Sequence, residues 1–499
     1  MGADSRMYAS CDNPFAAAAR RFGDASFLIA GTETFSFAEF HHRAMVHAVK
    51  LAAQGVGPGS RIALSATPSP ETLLTLDALW HLGASACLLD PNAPAEYQEA
   101  RAAEAGCAEL FNGTSPSFPR KRESKTQGRG PASGSLDSRV RGNDEREEIP
   151  RSHTWLPDQP ALLLFTSGTG GAPKAVCHGL CGIQHSAQVT AAALDLAPGD
   201  RWLLTLPLHH VSGLSIMIRC LAAGAACFLS NRETPLAEQL LRHAPTHLSL
   251  VATQLRRLLE VPESREPLSR LKTLLLGGGP TPVELLHRAL DAGIPVRNSY
   301  GMTETFALVC LSRRNAPPAE TASAGLPLEP DTVFITEDDH IALRGPRLFL
   351  GYWRNGALDP SRTPNGAFLT NDTGRMDPQA RLTVTGRTDT MFISGGENIH
   401  PEEIEAALLR LPEILAALVV PVAHPEFGAV PAAFLQTAEG VLPELAALRE
   451  ELARMLPRHA LPRHLLPWPG TESAGIKADR SQWRKKAESA LGISTSETR

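Results

Sequence analysis

Tyrosine is scarce in this chain, four in 499 residues, and all aromatics together make up 5%. A core must therefore be built mainly from aliphatic side chains. Long hydrophobic runs are missing too: the most apolar stretches, such as residues 214–229, are too short and are broken by Arg219, whereas a membrane span needs about twenty apolar residues. Neither sign of charge is in excess, since 48 Lys and Arg stand against 53 Asp and Glu for a net −5. That balance gives no electrostatic footprint for nucleic acid or a membrane surface. The eight cysteines include no CxxC pair, which argues against a zinc site and reads as reduced core thiols. The first ten residues lack the apolar segment of a secretory signal, and Arg6 stands where a myristoylation motif needs Ser or Thr. The expectation is a cytoplasmic protein whose partners are small molecules, with no nucleic acid and no membrane span, assembled as a homodimer or homotetramer if it assembles.

What is present is enough chain for two domains, because one hydrophobic core stops growing near roughly 250 residues. Residues 27–110 alternate short apolar strands (61–65, 84–89) with amphipathic helical stretches (37–54, 71–81), the pattern of a parallel α/β layer. The alternation resumes after Trp155, with strands near 161–165, 202–206, 246–251 and 271–276. Between them, residues 112–152 hold almost no apolar side chains and are dense in Arg, Lys, Glu, Ser and Gly. Such a stretch cannot bury enough surface to order itself and reads as a disordered insertion. FPRKRES and DSRVRGNDE within it resemble a translated mobile DNA repeat; the competing reading is a basic partner-binding loop. Beyond Gly386 the pattern becomes a compact α+β block. It has a helix from Pro401 with Ile404, Ala407, Leu408 and Leu411 on one face, strands at 417–422 and 429–435, and a helix from Leu442. The expected organisation is a large α/β domain at 1–386 of layered sheets and helices, a hinge at 387–389, and a smaller mobile α+β domain at 390–499.

Four segments carry candidate chemistry. Thr166-Ser167-Gly168-Thr169-Gly170-Gly171-Ala172-Pro173-Lys174 follows the apolar strand LLLF. Small residues let backbone N–H groups and hydroxyls approach an anion, and Lys174 adds a mobile positive charge, as a polyphosphate requires. Alone, such a run is usually a flexible loop, and it is not the GxxxxGK[ST] P-loop. Second, Gly277-Gly278-Gly279 ends an apolar strand ahead of Asn298-Ser299-Tyr300-Gly301-Met302-Thr303-Glu304. An aromatic can stack on a purine, while Thr and Glu offer the oxygens that Mg²⁺ prefers. Third, Asp372 in Asn371-Asp372-Thr373-Gly374 could accept hydrogen bonds from ribose hydroxyls, although an Asp here is more often a turn residue. The fourth is the run from Gly386-Arg387-Thr388-Asp389 through Gly395-Gly396-Glu397-Asn398 to Pro401-Glu402-Glu403-Ile404-Glu405.

Taken in order, these segments resemble the signature motifs of the adenylate-forming superfamily of acyl-CoA synthetases, adenylation domains and luciferases, over the whole chain apart from the insertion. The resemblance implies a carboxylate reacting with MgATP to an acyl-adenylate and pyrophosphate, then attack by the thiol of coenzyme A after the small domain turns about Asp389. It implies nucleotide contacts from Thr166, Ser167, Gly168, Thr169, Gly170, Lys174, Gly277, Gly278, Gly279, Tyr300, Gly301, Thr303, Glu304, Asp372 and Arg387. Glu304 would hold Mg²⁺, and Gly395 and Gly396 would line the path of coenzyme A. The family's C-terminal lysine matches Lys477 in Gly475-Ile476-Lys477-Ala478-Asp479-Arg480, a departure from the usual Gly-Lys. Lys477, His210, Glu304 and Arg387 are then the catalytic set.

That departure is shared with one subfamily, the o-succinylbenzoate–CoA ligases of menaquinone biosynthesis, which HHVSGLSIMIR, HLSLVATQLRRLL, GGGPTPVELL, GYWRNG and VVPVAHPEFGAVPAAF also resemble. Arg219 lies in an otherwise apolar helical stretch, where a cation needs an anionic partner. A dicarboxylate with one carboxylate activated and the other held would provide it; the alternatives are that Arg219 snorkels outward or pairs with a protein carboxylate. His210, Arg219 and Ser299 are the expected acid-binding residues. Gly170 replaces a Thr usual in the family, which removes one hydroxyl from the phosphate loop. The rival readings are another acyl- or aryl-CoA ligase, a ligase that loads an acyl carrier protein, and a decayed nucleotide-binding protein.

Overall fold

A computed structural model describes residues 10–107, 110–111, 149–166, 173–231, 233–279, 281–394, 397–469 and 480–493. Three sheets carry residues before 388. A nine-stranded sheet has at its centre the parallel strands Arg201–Leu204, His247–Leu250, Thr273–Leu276 and Val296–Met302. A seven-stranded sheet contains Arg61–Ser65, Ser85–Leu89, Pro160–Thr166, Lys174–Gly179 and Gly351–Arg354, and a four-stranded antiparallel sheet contains Phe368–Met376 and Leu382–Arg387. The run Thr273–Leu276, apolar except for Thr273, is buried along its whole length, as a strand covered on both faces must be. The helix Phe37–Ala53 begins at Ser36, whose hydroxyl accepts from Glu39 N, and turns Phe40, Ala44, Met45, Ala48 and Leu51 inward.

Residues 392–467 form a separate five-stranded sheet in which Ile414–His424 and Gly428–Thr437 pair antiparallel. Its core joins Ile404, Ala407, Leu408 and Leu411 of the predicted helical face to Val419, Ala433 and Leu448. The following helix starts at Leu445 rather than 442, because the Glu444 side chain caps it by accepting from Ala447 N. Among the described residues no helix is long and apolar enough to cross a membrane.

Two sequence expectations need correction. Cys11 and Cys181 are paired as a disulfide, so not all eight cysteines are free thiols. The bridge forms because Cys11 and Trp155 exchange backbone hydrogen bonds, which lays the N-terminal segment on the helix Leu180–Ala193 with the two Cα atoms 5.6 Å apart. The expected insertion, 112–152, also ends too late. Ile149 packs against the main core, His81 Nε2 lies 2.7 Å from Pro150 O, and His153 N donates to His81 O. Residues 112–148 lie outside the described residues.

Candidate active site

The parallel strands of the nine-stranded sheet release their chain at their carboxyl ends, where α/β sheets bind ligands. Gly277, Gly278 and Gly279 follow Leu276 there, and Gly278 takes φ +86°, a left-handed conformation that favours glycine. On the neighbouring strand, Ser299 Oγ donates to Leu276 O at 2.7 Å and closes the gap beside Gly277. Gly301 follows, in a hairpin so tight that a Cβ would come within 2.2 Å of Ala307 O. The Ser299 hydroxyl is thus committed to the backbone beside the glycines.

Beyond Gly301 the chain turns through Thr303–Thr305, which buries Glu304. Phe349 N donates to Glu304 O at 2.7 Å, and Tyr352 Oη donates to Glu304 Oε1 at 2.8 Å. Among the described residues no Lys, Arg or His nitrogen lies within ion-pair distance of this carboxylate. A buried acid without a cation fits a hard divalent ion, whose preferred ligands are carboxylate oxygens. Lys174, directly opposite Thr166 in the hairpin that carries the phosphate-loop motif, sets its Nζ 5.2 Å from the Tyr352 ring centre. His178, two turns of the pleat further on, is wholly buried against Phe306 and bonded to the backbone of Thr303; burial pushes its pKa down to about 3.

A second group lies where the four-stranded sheet approaches Tyr300. Tyr300 Oη donates to Asp372 Oδ2 at 2.6 Å, and Arg387 Nη1 donates to Asp372 Oδ1 at 2.6 Å. Arg387 also reaches Asp389 through Nε and Nη2, and Asn371 Nδ2 donates to Asp389 Oδ2 at 3.1 Å. Burial works against the Arg387 charge, but the bonds to Asp389 and the charge of Asp372 outweigh it and hold its pKa above the ordinary arginine value. Burial, then the Asp372 charge, raises the Tyr300 phenol. Tyr300 is itself part of a hydrophobic cluster with Val309, Phe349 and Phe368.

Arg219 stands apart, on the helix Val211–Ala223 that begins after His210. The side chain is 2% exposed; Nε donates to Thr190 Oγ1 at 3.1 Å and the guanidinium lies 5.5 Å from the Trp202 ring centre. It therefore does not snorkel, and among the described residues no carboxylate pairs with it. Burial pushes its pKa down to about 9, with only Cys220 opposing. The His210 ring lies 4.2 Å from that of His209, centre to centre and tilted by 52°, and His209 faces Asp90 at 3.9 Å.

Most of the described sequence-predicted residues gather at the strand ends around Gly277–Gly279, Ser299, Gly301 and Glu304 with Lys174 nearby, or around Tyr300 with Asp372, Arg387 and Asp389, while Arg219 lies on the helix that His210 precedes. Ser167, Gly168, Thr169, Gly170, Gly395, Gly396 and Lys477 lie outside the described residues. Sequence reasoning missed Tyr352 and Thr190. A signal existed for the first: one of only four tyrosines, in an apolar strand, must find a partner for its hydroxyl once buried.

Residues 15–353 match the model of the AMP-binding enzyme family, and residues 403–471 match the AMP-binding enzyme C-terminal domain. The 2-succinylbenzoate–CoA ligase of Salmonella typhimurium is 34% identical over 457 residues, which cover 90% of this chain and 93% of the relative. That of Escherichia coli is 36% identical over 430 residues, 86% of this chain and 88% of the relative. The o-succinylbenzoate CoA synthetase of Bacillus subtilis, solved with the acyl-adenylate intermediate OSB-AMP, superposes with a TM-score of 0.81 at 27% identity, covering 96% of this chain and 99% of that one. The same enzyme solved with ATP and magnesium ion superposes with a TM-score of 0.78 at 26% identity, covering 95% and 99%.

Proposed function

Because this chain belongs to the AMP-binding enzyme family, we propose that it joins o-succinylbenzoate to coenzyme A at the expense of ATP, releasing AMP and pyrophosphate. In the first half-reaction a carboxylate oxygen of the acid attacks the α-phosphorus of ATP, and the bond to pyrophosphate breaks. In the second, the sulfur of coenzyme A attacks the acyl carbon, the bond to AMP breaks, and the thiol proton leaves to a base or to water. ATP and coenzyme A are metabolites of the cytoplasm, which is where this reading places the enzyme.

The residues divide this work. Thr166, Ser167, Gly168, Thr169, Gly170 and Lys174 grip the polyphosphate, as small residues with one cation can. Gly277, Gly278, Gly279, Gly301 and Tyr300 border the nucleotide, and Asp372 with Arg387 faces its ribose and phosphate. Glu304, with Thr303 beside it, would hold Mg²⁺, which supplies neutralisation of the polyphosphate charge. Lys477 brings a positive charge to the oxygens on which negative charge develops, the kind of contact worth about 3–4 kcal/mol when pre-placed. His210 gates the acid pocket, and Gly395 and Gly396 border the approach of coenzyme A after rotation about Asp389.

The observation that carries the choice of acid is Arg219, a buried cation with no carboxylate partner among the described residues. A lone buried charge is costly, and a substrate with a second carboxylate removes that cost on binding. The test is ATP-dependent pyrophosphate release with coenzyme A present, comparing o-succinylbenzoate with benzoate, a medium-chain fatty acid and no acid. Selective turnover of o-succinylbenzoate is expected. Turnover of another acid would retain the ligase and discard the dicarboxylate, and no turnover would leave only a nucleotide-binding protein.

A further inference from the structure

Tyr352 stands where two halves of the site meet. Its strand, Gly351–Arg354, pairs antiparallel with Lys174–Gly179, and Tyr352 lies opposite Val176. Its hydroxyl crosses to the other sheet system, where it donates to Glu304 Oε1 at 2.8 Å. The ring meanwhile carries Lys174 Nζ at 5.2 Å and the Arg354 guanidinium at 5.1 Å from its centre. Arg354 is also within 3.4 Å of Asp359, so its charge has a carboxylate partner. Phe349, three residues earlier, fixes the Glu304 backbone through its N–H. One short segment thus touches both the carboxylate and the lysine, which are 130 residues apart in sequence (304 − 174).

A carboxylate free to rotate in a buried turn would lose rotamer freedom each time it met a cation; one already held through a single oxygen loses less. The phenol is suited to this, because it donates one hydrogen bond to Oε1 and brings no charge that would compete with the metal. Its π-face attracts an ammonium by cation–π interaction, which keeps Lys174 near the same place without neutralising it.

We propose that Tyr352 is a positioning residue for MgATP, orienting Glu304 for the metal through its hydroxyl and Lys174 for the polyphosphate through its ring. The inference rests on the reading that this site binds MgATP. Its test is calorimetric titration of the full chain with ATP in excess Mg²⁺ and with ATP in EDTA, for wild type, Tyr352→Phe and Tyr352→Leu. Tyr352→Phe keeps the ring and is expected to weaken binding about tenfold in Mg²⁺, the loss of one hydrogen bond to a charged group, with little change in EDTA. It should also raise the Mg²⁺ concentration for half-maximal pyrophosphate release while leaving KM for the acid unchanged. Tyr352→Leu should weaken ATP binding in both media.

In a Glu304→Gln background, Tyr352→Phe should have little further effect on MgATP affinity; full additivity would overturn the proposal. So would equal MgATP affinity of wild type and Tyr352→Phe, or weakening by Tyr352→Phe that is equal with and without the metal, which is what a merely structural hydroxyl would give. Failure of the wild type to bind MgATP would instead refute the functional reading beneath it.

Discussion

Arg387 holds Asp389 with two nitrogens, Nε to Oδ1 and Nη2 to Oδ2, both at 2.8 Å. The same guanidinium ties Asp372 through Nη1, so the expected pivot of the small domain is clamped to the expected ribose-binding acid. If the chain turns about Asp389 between the two half-reactions, this pair must change during every turnover. Asp389→Asn weakens the clamp by about 1 kcal/mol, a discounted value for a partly exposed pair. Adenylation and thioester formation should then shift in opposite senses, each by up to roughly fivefold. Single-turnover pyrophosphate release and thioester formation from a preformed acyl-adenylate measure the two separately; parallel changes would show that the pair does not bias the rotation.

Arg219 invites a test in which stability and function diverge. Replacing buried ion pairs by well-packed apolar residues of similar volume is often neutral or stabilising by about 1–4 kcal/mol, and Arg219, with no carboxylate partner among the described residues, has no ion-pair attraction to lose. Arg219→Met is therefore expected to raise the unfolding midpoint of the ligand-free protein while raising KM for o-succinylbenzoate at least tenfold, with KM for ATP unaltered. Loss of stability together with an unchanged KM would remove Arg219 from the acid site.

Lys477→Ala should lower single-turnover pyrophosphate release by about 10²–10³, as removal of one pre-placed electrostatic donor does elsewhere. Thioester formation from the preformed acyl-adenylate should persist, because that step needs no charge at the departing pyrophosphate. Equal loss in both steps would contradict the assignment.

His178, buried against Phe306, gives the fold a pH dependence. Its folded pKa of about 3 lies below the ordinary histidine value of about 6.5, so the unfolded chain binds the proton more readily. The stability it contributes is present above pH 6.5 and is lost as pH falls toward 3, amounting to about 2–3 kcal/mol at pH 4.5. Denaturant unfolding of wild type and His178→Gln at pH 7 and 4.5 should show a smaller acid loss in the variant. Identical losses would place the acid sensitivity elsewhere.

The sequence made the strands and the glycine turn after Leu276 legible because both depend on neighbours within a few residues. Thr273–Leu276 reads as a buried strand from its apolar run, and Gly277, Gly278 and Gly279 read as a turn from their lack of side chains. Contacts set by tertiary meeting were not legible. Tyr352 and Glu304 lie 48 residues apart and Cys11 and Cys181 lie 170 apart, and nothing local marks either pair. The environment of Arg219 was half legible: the helix pattern placed a cation among apolar residues, but only the packing shows Thr190 and Trp202 beside it and, among the described residues, no acid.

The strand Leu110–Phe111 ends the seven-stranded sheet, pairing with Ala63 and Leu64 on one side only, and the chain is anchored again at Ile149. A change of length between these two points severs no ladder among the described residues. For a flexible loop the thermodynamic penalty of added length is logarithmic, about 0.6 kcal/mol for each doubling. An edge strand paired on one side only thus makes the margin of this sheet a place where a gene can be lengthened without touching the described ladders beneath it.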